Sequence, residues 1–203
     1  MKKTMILLAG YPATGKSYMC RQILQAHPGM VVVSQDDMKE QLWDAYGFDS
    51  MEEKTALETQ SWAAYYQTVE AEMEKGSLLI SDYPFSDKQK GRLEALAQAH
   101  GYQFITIRLT GDIDTLYQRS RQRDLDPSRH LGHLVSRYHK GDVMADRSQA
   151  DCFVTLDVFR QRCLTRGYDT FCLGHLIAVD ATDFSRIDYP RIVARVTALM
   201  EGE

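Results

Sequence analysis

The sequence predicts an α/β protein of three layers, with a mostly parallel five-stranded sheet covered by helices on both faces. Three observations predict it. Short apolar runs alternate with longer stretches of helical spacing along the chain, which is the pattern of repeated strand–helix units. The runs at 5–9 and 30–33 are wholly apolar, as a strand buried on both faces is. A glycine-rich turn joins the first run to the first amphipathic stretch, where an open parallel sheet presents the carboxyl ends of its strands.

Residues 5–9 are an apolar run ended by Gly10, a buried strand. Residues 16–27 carry Met19, Ile23 and Leu24 at helical spacing, and Pro28-Gly29 breaks that helix. Residues 30–33, mostly β-branched, form a second strand. Helices follow at 36–46 and 51–75; the second places Leu57, Trp62, Tyr65, Tyr66, Val69 and Met73 at mostly helical spacing. A third strand at 78–80 lies between Gly76 and Asp82. Residues 88–100 form an amphipathic helix, with Leu93, Leu96 and Ala97 on one face and Gly101 as its stop. A fourth strand spans 104–109, and Asp112 can cap the helix that carries Ile113, Leu116 and Tyr117. A fifth strand at 176–179 and a helix at 189–200 close the chain. The stretch 141–174 is the least legible; it holds a helix near 157–166 that periodicity alone does not place in the fold.

A chain of 203 residues with 44% hydrophobic and 26% charged side chains fits one domain, residues 1–203, that buries its core without staples. The net charge of −4 weighs against a dedicated nucleic-acid binder, which carries a basic excess. Cys20, Cys152, Cys163 and Cys172 make no C-x-x-C pair and read as reduced thiols of a cytoplasmic protein. His130, His133 and His139 lie close in sequence, but no clear ligand set accompanies them. No stretch reaches the ~18 apolar residues of a membrane span. The run behind Lys2-Lys3 is too short for a signal peptide and passes straight into the glycine-rich turn.

That turn is Gly10-Tyr11-Pro12-Ala13-Thr14-Gly15-Lys16-Ser17, a complete G-x-x-x-x-G-K-[ST] phosphate loop. Its glycines let successive N–H groups, from Ala13 and Thr14 among others, point at phosphate oxygens. The helix behind it aims its positive end at the same place. Lys16 can reach the β- and γ-phosphates of a nucleotide, and the Ser17 hydroxyl can ligate Mg²⁺.

Three further features follow. Asp36-Asp37 stands just past the second strand, where a carboxylate can face the γ-phosphate from the acceptor side and take a hydroxyl proton. Capping of the next helix explains the same pair equally well. Ser81-Asp82 ends the third strand, and Asp82 can hold Mg²⁺ there or bind the acceptor. Arg119, Arg121 and Arg123 close the helix behind Asp112, with Arg129 beyond them. Arginines so placed can clamp a transferring phosphoryl group or simply complement a helix C-terminus.

With these features in order, the chain resembles P-loop kinases related to phage-type polynucleotide 5′-hydroxyl kinase, a group that includes antibiotic phosphotransferases and zeta-type toxins. The resemblance covers residues 1–139, with an echo at 179–188. It implies a P-loop kinase fold with a helical lid, and ATP and Mg²⁺ as cofactors. It points to Asp36 as general base and to Arg119 and Arg123 as lid residues on the nucleotide phosphates. Asp180-Ala181-Thr182-Asp183 matches the loop beside the adenine, which adds Thr182 to Gly10, Ala13, Thr14, Gly15, Lys16 and Ser17 on the nucleotide side. On the acceptor side the chain departs: Gln35 and Lys39 stand where polynucleotide kinases carry arginines, and Tyr83-Pro84 where they carry Thr-Asn.

The reading is therefore an ATP- and Mg²⁺-dependent phosphotransferase acting on a hydroxyl of a small-molecule acceptor. A polynucleotide 5′-hydroxyl kinase and a nucleotide-dependent switch acting on a protein partner are the alternatives. Trp43, Tyr46, Trp62, Tyr65 and Tyr66 are candidates to line an acceptor pocket. The basic stretch 119–140 is expected to be a mobile lid, with Asp126-Pro127, Gly132 and Gly141 as points where the backbone redirects.

Overall fold

The computed structural model describes residues 1–202. Its centre is β1 (Thr4–Gly10), every residue of which is buried. It is flanked by β3 (Leu79–Asp82) and β4 (Gln103–Thr110), with β2 (Val31–Val32) and β5 (His175–Asp180) at the edges. The order is β2-β3-β1-β4-β5, and every neighbouring pair is parallel. The register sets Leu8 opposite Asp82. The loop leaving β1 at Gly10 therefore emerges beside the carboxyl end of β3.

Alternation along β1 builds two cores, one on each face. Met5, Leu7 and Ala9 pack against α3 (Met51–Lys75) and α4 (Asp87–His100), where Tyr65, Val69, Met73 and Leu93 are fully buried. Ile6 and Leu8 pack against α1 (Lys16–Ala26) and α7 (Tyr189–Glu201), through Met19, Ile23, Val196 and Met200. Each fully buried aliphatic side chain contributes about 1.5–3 kcal/mol, so the strand that delivers the phosphate loop is the most firmly held in the sheet.

Helix α2 (Gln35–Tyr46) begins one residue earlier than the spacing predicts. Its N-cap is Ser34, whose Oγ accepts from the Asp37 N–H at 3.2 Å. Neither Asp36 nor Asp37 is the cap, and both stand in the first turn. Helix α5 (Ile113–Leu125) carries Arg119, Arg121 and Arg123, and α6 (Leu156–Thr165) is the helix expected near 157–166.

The stretch that resisted sequence reading divides among three docking sites. Ala150 joins Trp43, Phe48 and Leu57 in a third core between α2 and α3, together with Leu131, Leu134, Val135 and Tyr138 of the preceding segment. Helix α6 sets Phe159 and Cys163 against Leu116 of α5 and Tyr11 of the phosphate loop. The chain then crosses the sheet face, where Phe171 stacks on Phe85 at 5.4 Å and Thr106 Oγ1 donates to the Leu173 carbonyl at 2.7 Å. All four cysteines are free. Among the described residues no helix is long and apolar enough to cross a membrane.

Candidate active site

The phosphate loop takes its shape from backbone that few side chains tolerate. Gly10 has φ +108°, and a Cβ there would lie 1.9 Å from the Leu109 carbonyl oxygen. Ala13 is the one non-glycine residue with positive φ among those described, at +62°, a conformation that costs energy outside glycine. Gly15 opens α1 from the left-handed region. Lys16 Nζ donates to the Tyr11 carbonyl at 2.6 Å, and Thr14 Oγ1 donates to the same oxygen at 2.8 Å. Burial pushes the Lys16 ammonium down to about 8; Asp82 pulls it up and Arg123 adds to the lowering.

Ser17 Oγ donates to Asp82 Oδ2 at 2.7 Å, joining the first turn of α1 to the end of β3. Burial raises the Asp82 carboxyl, and the Ser17 hydrogen bond opposes that. Asp36 faces the same space from α2. Burial raises its carboxyl too, but Lys39, whose Nζ lies 2.7 Å from Asp36 Oδ1, outweighs burial with help from His133 and Arg129. The net result is a carboxylate held well below its usual range. Two acids at one edge of the sheet are thus pushed in opposite directions.

The two arginines expected on the lid part company. Arg123 hydrogen-bonds Asp124 at 3.0 Å and lies close enough to Lys16 to depress its ammonium. Arg119 donates to the carbonyls of Ala181 and Thr182 at 2.5 and 2.6 Å, and its guanidinium sits 3.8 Å above the Phe184 ring. Thr182 Oγ1 accepts from the Asp112 N–H at 2.9 Å. Phe184 closes on the start of α1, 3.3 Å from where a Cβ on Gly15 would stand. Arg119 and Thr182 are therefore joined to each other beside the phosphate loop, while Lys16, Ser17, Asp36, Asp82 and Arg123 gather at the sheet's carboxyl edge.

Of the aromatic candidates, Trp43, Tyr65 and Tyr66 are core residues, and Tyr46 is exposed on α2. Trp62 alone lines a cleft, one of about 840 Å³ that also takes in Tyr83, the residue after Asp82 in the chain. Its ring meets Tyr83 edge-on at 4.9 Å. Lys88, Arg166, Tyr168 and Asp169 complete the opposite wall. The three histidines each take a separate acid: His130 with Asp44, His133 with Glu40 and His139 with Asp49.

Sequence reasoning missed the ring of charge around Asp36. Lys39 carried a signal, the i,i+3 spacing that pairs charges on one helix face. Arg129 and His133 carried none for this, because tertiary packing alone unites α2 with residues 129–133. The far wall of the cleft, residues 164–170, was equally silent.

The AAA domain family matches residues 5–139 of the chain. A candidate kinase from Chloroflexus aurantiacus is 26% identical, with a TM-score of 0.75 over 97% of this chain and 98% of that one. The tunicamycin resistance protein of Deinococcus radiodurans is 14% identical, with a TM-score of 0.52 over 98% and 95% of the two chains. A sugar kinase from Janibacter is 12% identical, with a TM-score of 0.53 over 99% and 95%. The last two likenesses show the fold alone. No protein of curated function matches the sequence.

Proposed function

The chain belongs to the AAA domain family, here a P-loop kinase-like domain, and from that premise we propose that it moves the γ-phosphate of ATP to a hydroxyl of a small-molecule acceptor. The observation that carries this reading is the convergence of two chemistries on one point. The phosphate loop with Lys16 and the Ser17–Asp82 pair stands on one side. The Asp36 carboxylate, held well below its usual range, lies close enough to act on both Lys16 and Asp82. A phosphate-binding switch needs the first and has no use for the second.

In this reading Lys16 exchanges the Tyr11 carbonyl for the β- and γ-phosphate oxygens. The Ser17 hydroxyl and the Asp82 carboxylate are hard oxygen donors of the kind Mg²⁺ takes, and the ion when bound would neutralise phosphate charge. The acceptor oxygen bonds to the γ-phosphorus as the bond to the bridging oxygen breaks. ADP leaves with that electron pair, and the hydroxyl proton passes to Asp36. Arg123 meets charge on the transferring group, and Arg119 with Thr182 and Phe184 shapes the nucleotide's other end. The cleft along Trp62 and Tyr83 holds the acceptor.

The test is ADP release from Mg·ATP with sugars, nucleosides, antibiotics and 5′-hydroxyl oligonucleotides offered in turn. Stimulation by a small molecule, with a phosphomonoester product, supports the reading. Stimulation by oligonucleotides alone, weakening steeply with salt, transfers the assignment to a polynucleotide kinase. No stimulation by any acceptor, with nucleotide-dependent capture of a protein, makes it a switch.

A further inference from the structure

Arg129 lies four residues beyond the end of α5, on a turn closed by its N–H donating to the Asp126 carbonyl at 3.0 Å. Arg147 pins that turn by donating to the carbonyls of Arg129 and Pro127 at 2.7 and 3.0 Å. The side chain runs inward and is only 20% exposed. Its Nε is buried with no hydrogen-bond partner among the described residues. The nearest acids are out of hydrogen-bond reach, Asp124 at 3.8 Å and Glu40 at 3.9 Å. Both are already engaged, Asp124 by Arg123 and Glu40 by His133.

An arginine built for a structural ion pair closes on its acid. The surface pairs Arg160–Asp114 and Arg137–Asp49 do so at 2.7 and 2.8 Å. Arg129, though far less exposed, does not. A guanidinium presents five donors in a fixed plane, and burying donors without partners is costly. Such a group is kept where something outside the chain completes it. What surrounds it says what that is. Burial and the neighbouring Arg123 disfavour its charge, while Asp36, Asp124 and Glu40 favour it. Arg123 in turn stands by Lys16. Arg129 is therefore placed between the nucleotide-phosphate side, marked by Lys16 and Arg123, and the acceptor side, marked by Asp36.

We propose that Arg129 is an anion-binding residue of the active site, its planar fork holding the oxygens of the γ-phosphoryl group on the side that faces Asp36. This rests on the phosphotransferase reading above, and it separates Arg129 from Arg119, whose guanidinium is taken up by the Ala181 and Thr182 carbonyls. A tetrahedral or planar oxyanion matches the fork bidentately, as a carboxylate does, and satisfies the donors that Asp124 and Glu40 leave open.

The experiment is calorimetric binding of ADP and of β,γ-imido-ATP, both with Mg²⁺, to the wild-type chain and to Arg129→Met, which keeps the side-chain length without the charge. The expected result is ADP affinity within about twofold of wild type and imido-ATP affinity lower by ~10-fold or more, the scale of a lost charge-assisted hydrogen bond. Thermal melting of the nucleotide-free variant reports whether it folds. If it does not fold, Arg129→Lys carries the test, with the same split at a smaller size. Equal affinities for both nucleotides in wild type and variant overturn the proposal. So does an equal loss for both, which is the mark of a structural role. A wild-type chain that binds neither nucleotide sinks the phosphotransferase reading itself, a failure visible before any variant is made.

Discussion

Lys16 spans its own phosphate loop, its Nζ held 2.6 Å from the Tyr11 carbonyl oxygen. Burial there brings the ammonium down to about 8.

Proton uptake on nucleotide binding follows from that value. At pH 8 about half of the nucleotide-free protein carries a neutral Lys16. Phosphate charge favours the ammonium and restores the proton, so binding Mg·ATP at pH 8 takes up about half a proton. Near pH 6 Lys16 is already charged and this uptake vanishes. Calorimetric binding enthalpies in buffers of different ionisation enthalpy measure it. Lys16→Ala should abolish the uptake and weaken Mg·ATP binding while the fold survives. Unchanged ATP affinity and turnover in that variant would remove Lys16 from the site.

Asp36→Asn should lower phosphoryl transfer by ~10²–10⁴-fold and leave ATP affinity nearly unchanged. Asp37→Asn should do less, because Asp37 is exposed whereas Asp36 is clasped by Lys39. The pH dependence has a definite sign. A carboxyl held below its usual range stays ionised as pH falls through the ordinary carboxylate region. Transfer should therefore show no acid limb from Asp36 between about pH 5 and 8. The reverse order of the two variants in steady-state kinetics would move the base to Asp37.

Two glycine substitutions should shift stability in opposite directions. At Gly10 a methyl group would overlap the Leu109 carbonyl at 1.9 Å, and φ is +108°. Neither β1 nor β4 can yield without unpacking the sheet, so Gly10→Ala should cost at least ~3 kcal/mol. At Gly91, inside α4, an added Cβ meets nothing within 4 Å. Gly91→Ala should stabilise by about 0.5–1 kcal/mol through helix propensity. Denaturant melts of the two variants decide, and a destabilised Gly91→Ala would show that α4 is strained there.

What the sequence made legible is what lies along single elements. The phosphate loop, the helix at Met51–Lys75 and the first strand announce themselves by their own apolar patterns and breakers. The second strand is only Val31–Val32, at one edge of the sheet and paired with β3 alone. Residues 141–174 were opaque for a physical reason. Their apolar side chains serve three separate cores, so Ala150, Phe159 and Phe171 share no face and no period. The acceptor side was opaque likewise, because Lys39, Arg129 and His133 meet around Asp36 only through packing.

The arginine-bearing segment should behave as two parts rather than one lid from 119 to 140. The end of α5 is open to solvent at Gln122, Arg123 and Leu125, as is the turn at 126–128. Little apolar contact resists movement there, and the turn is held mainly by the Arg147 hydrogen bonds to the Pro127 and Arg129 carbonyls. Beyond it the chain is anchored. Leu131, Leu134, Val135 and Tyr138 are buried against α2 and α3. Phe48 and Tyr138 exchange backbone hydrogen bonds of 2.8 Å, and the buried Lys54 donates to the Val135 carbonyl at 2.9 Å. Nucleotide that engages Arg123 should order the first part and find the second already ordered. Hydrogen exchange with and without β,γ-imido-ATP should show new protection across about 119–130, and equal protection in both states at 131–138. Arg123→Ala should lower transfer at least ~10-fold, since arginines on a transferring phosphoryl group carry large effects. Protection gained evenly from 119 to 140 would restore a single moving lid. Protection unchanged throughout, with full transfer in Arg123→Ala, would leave α5 a fixed surface helix and its arginines solvated.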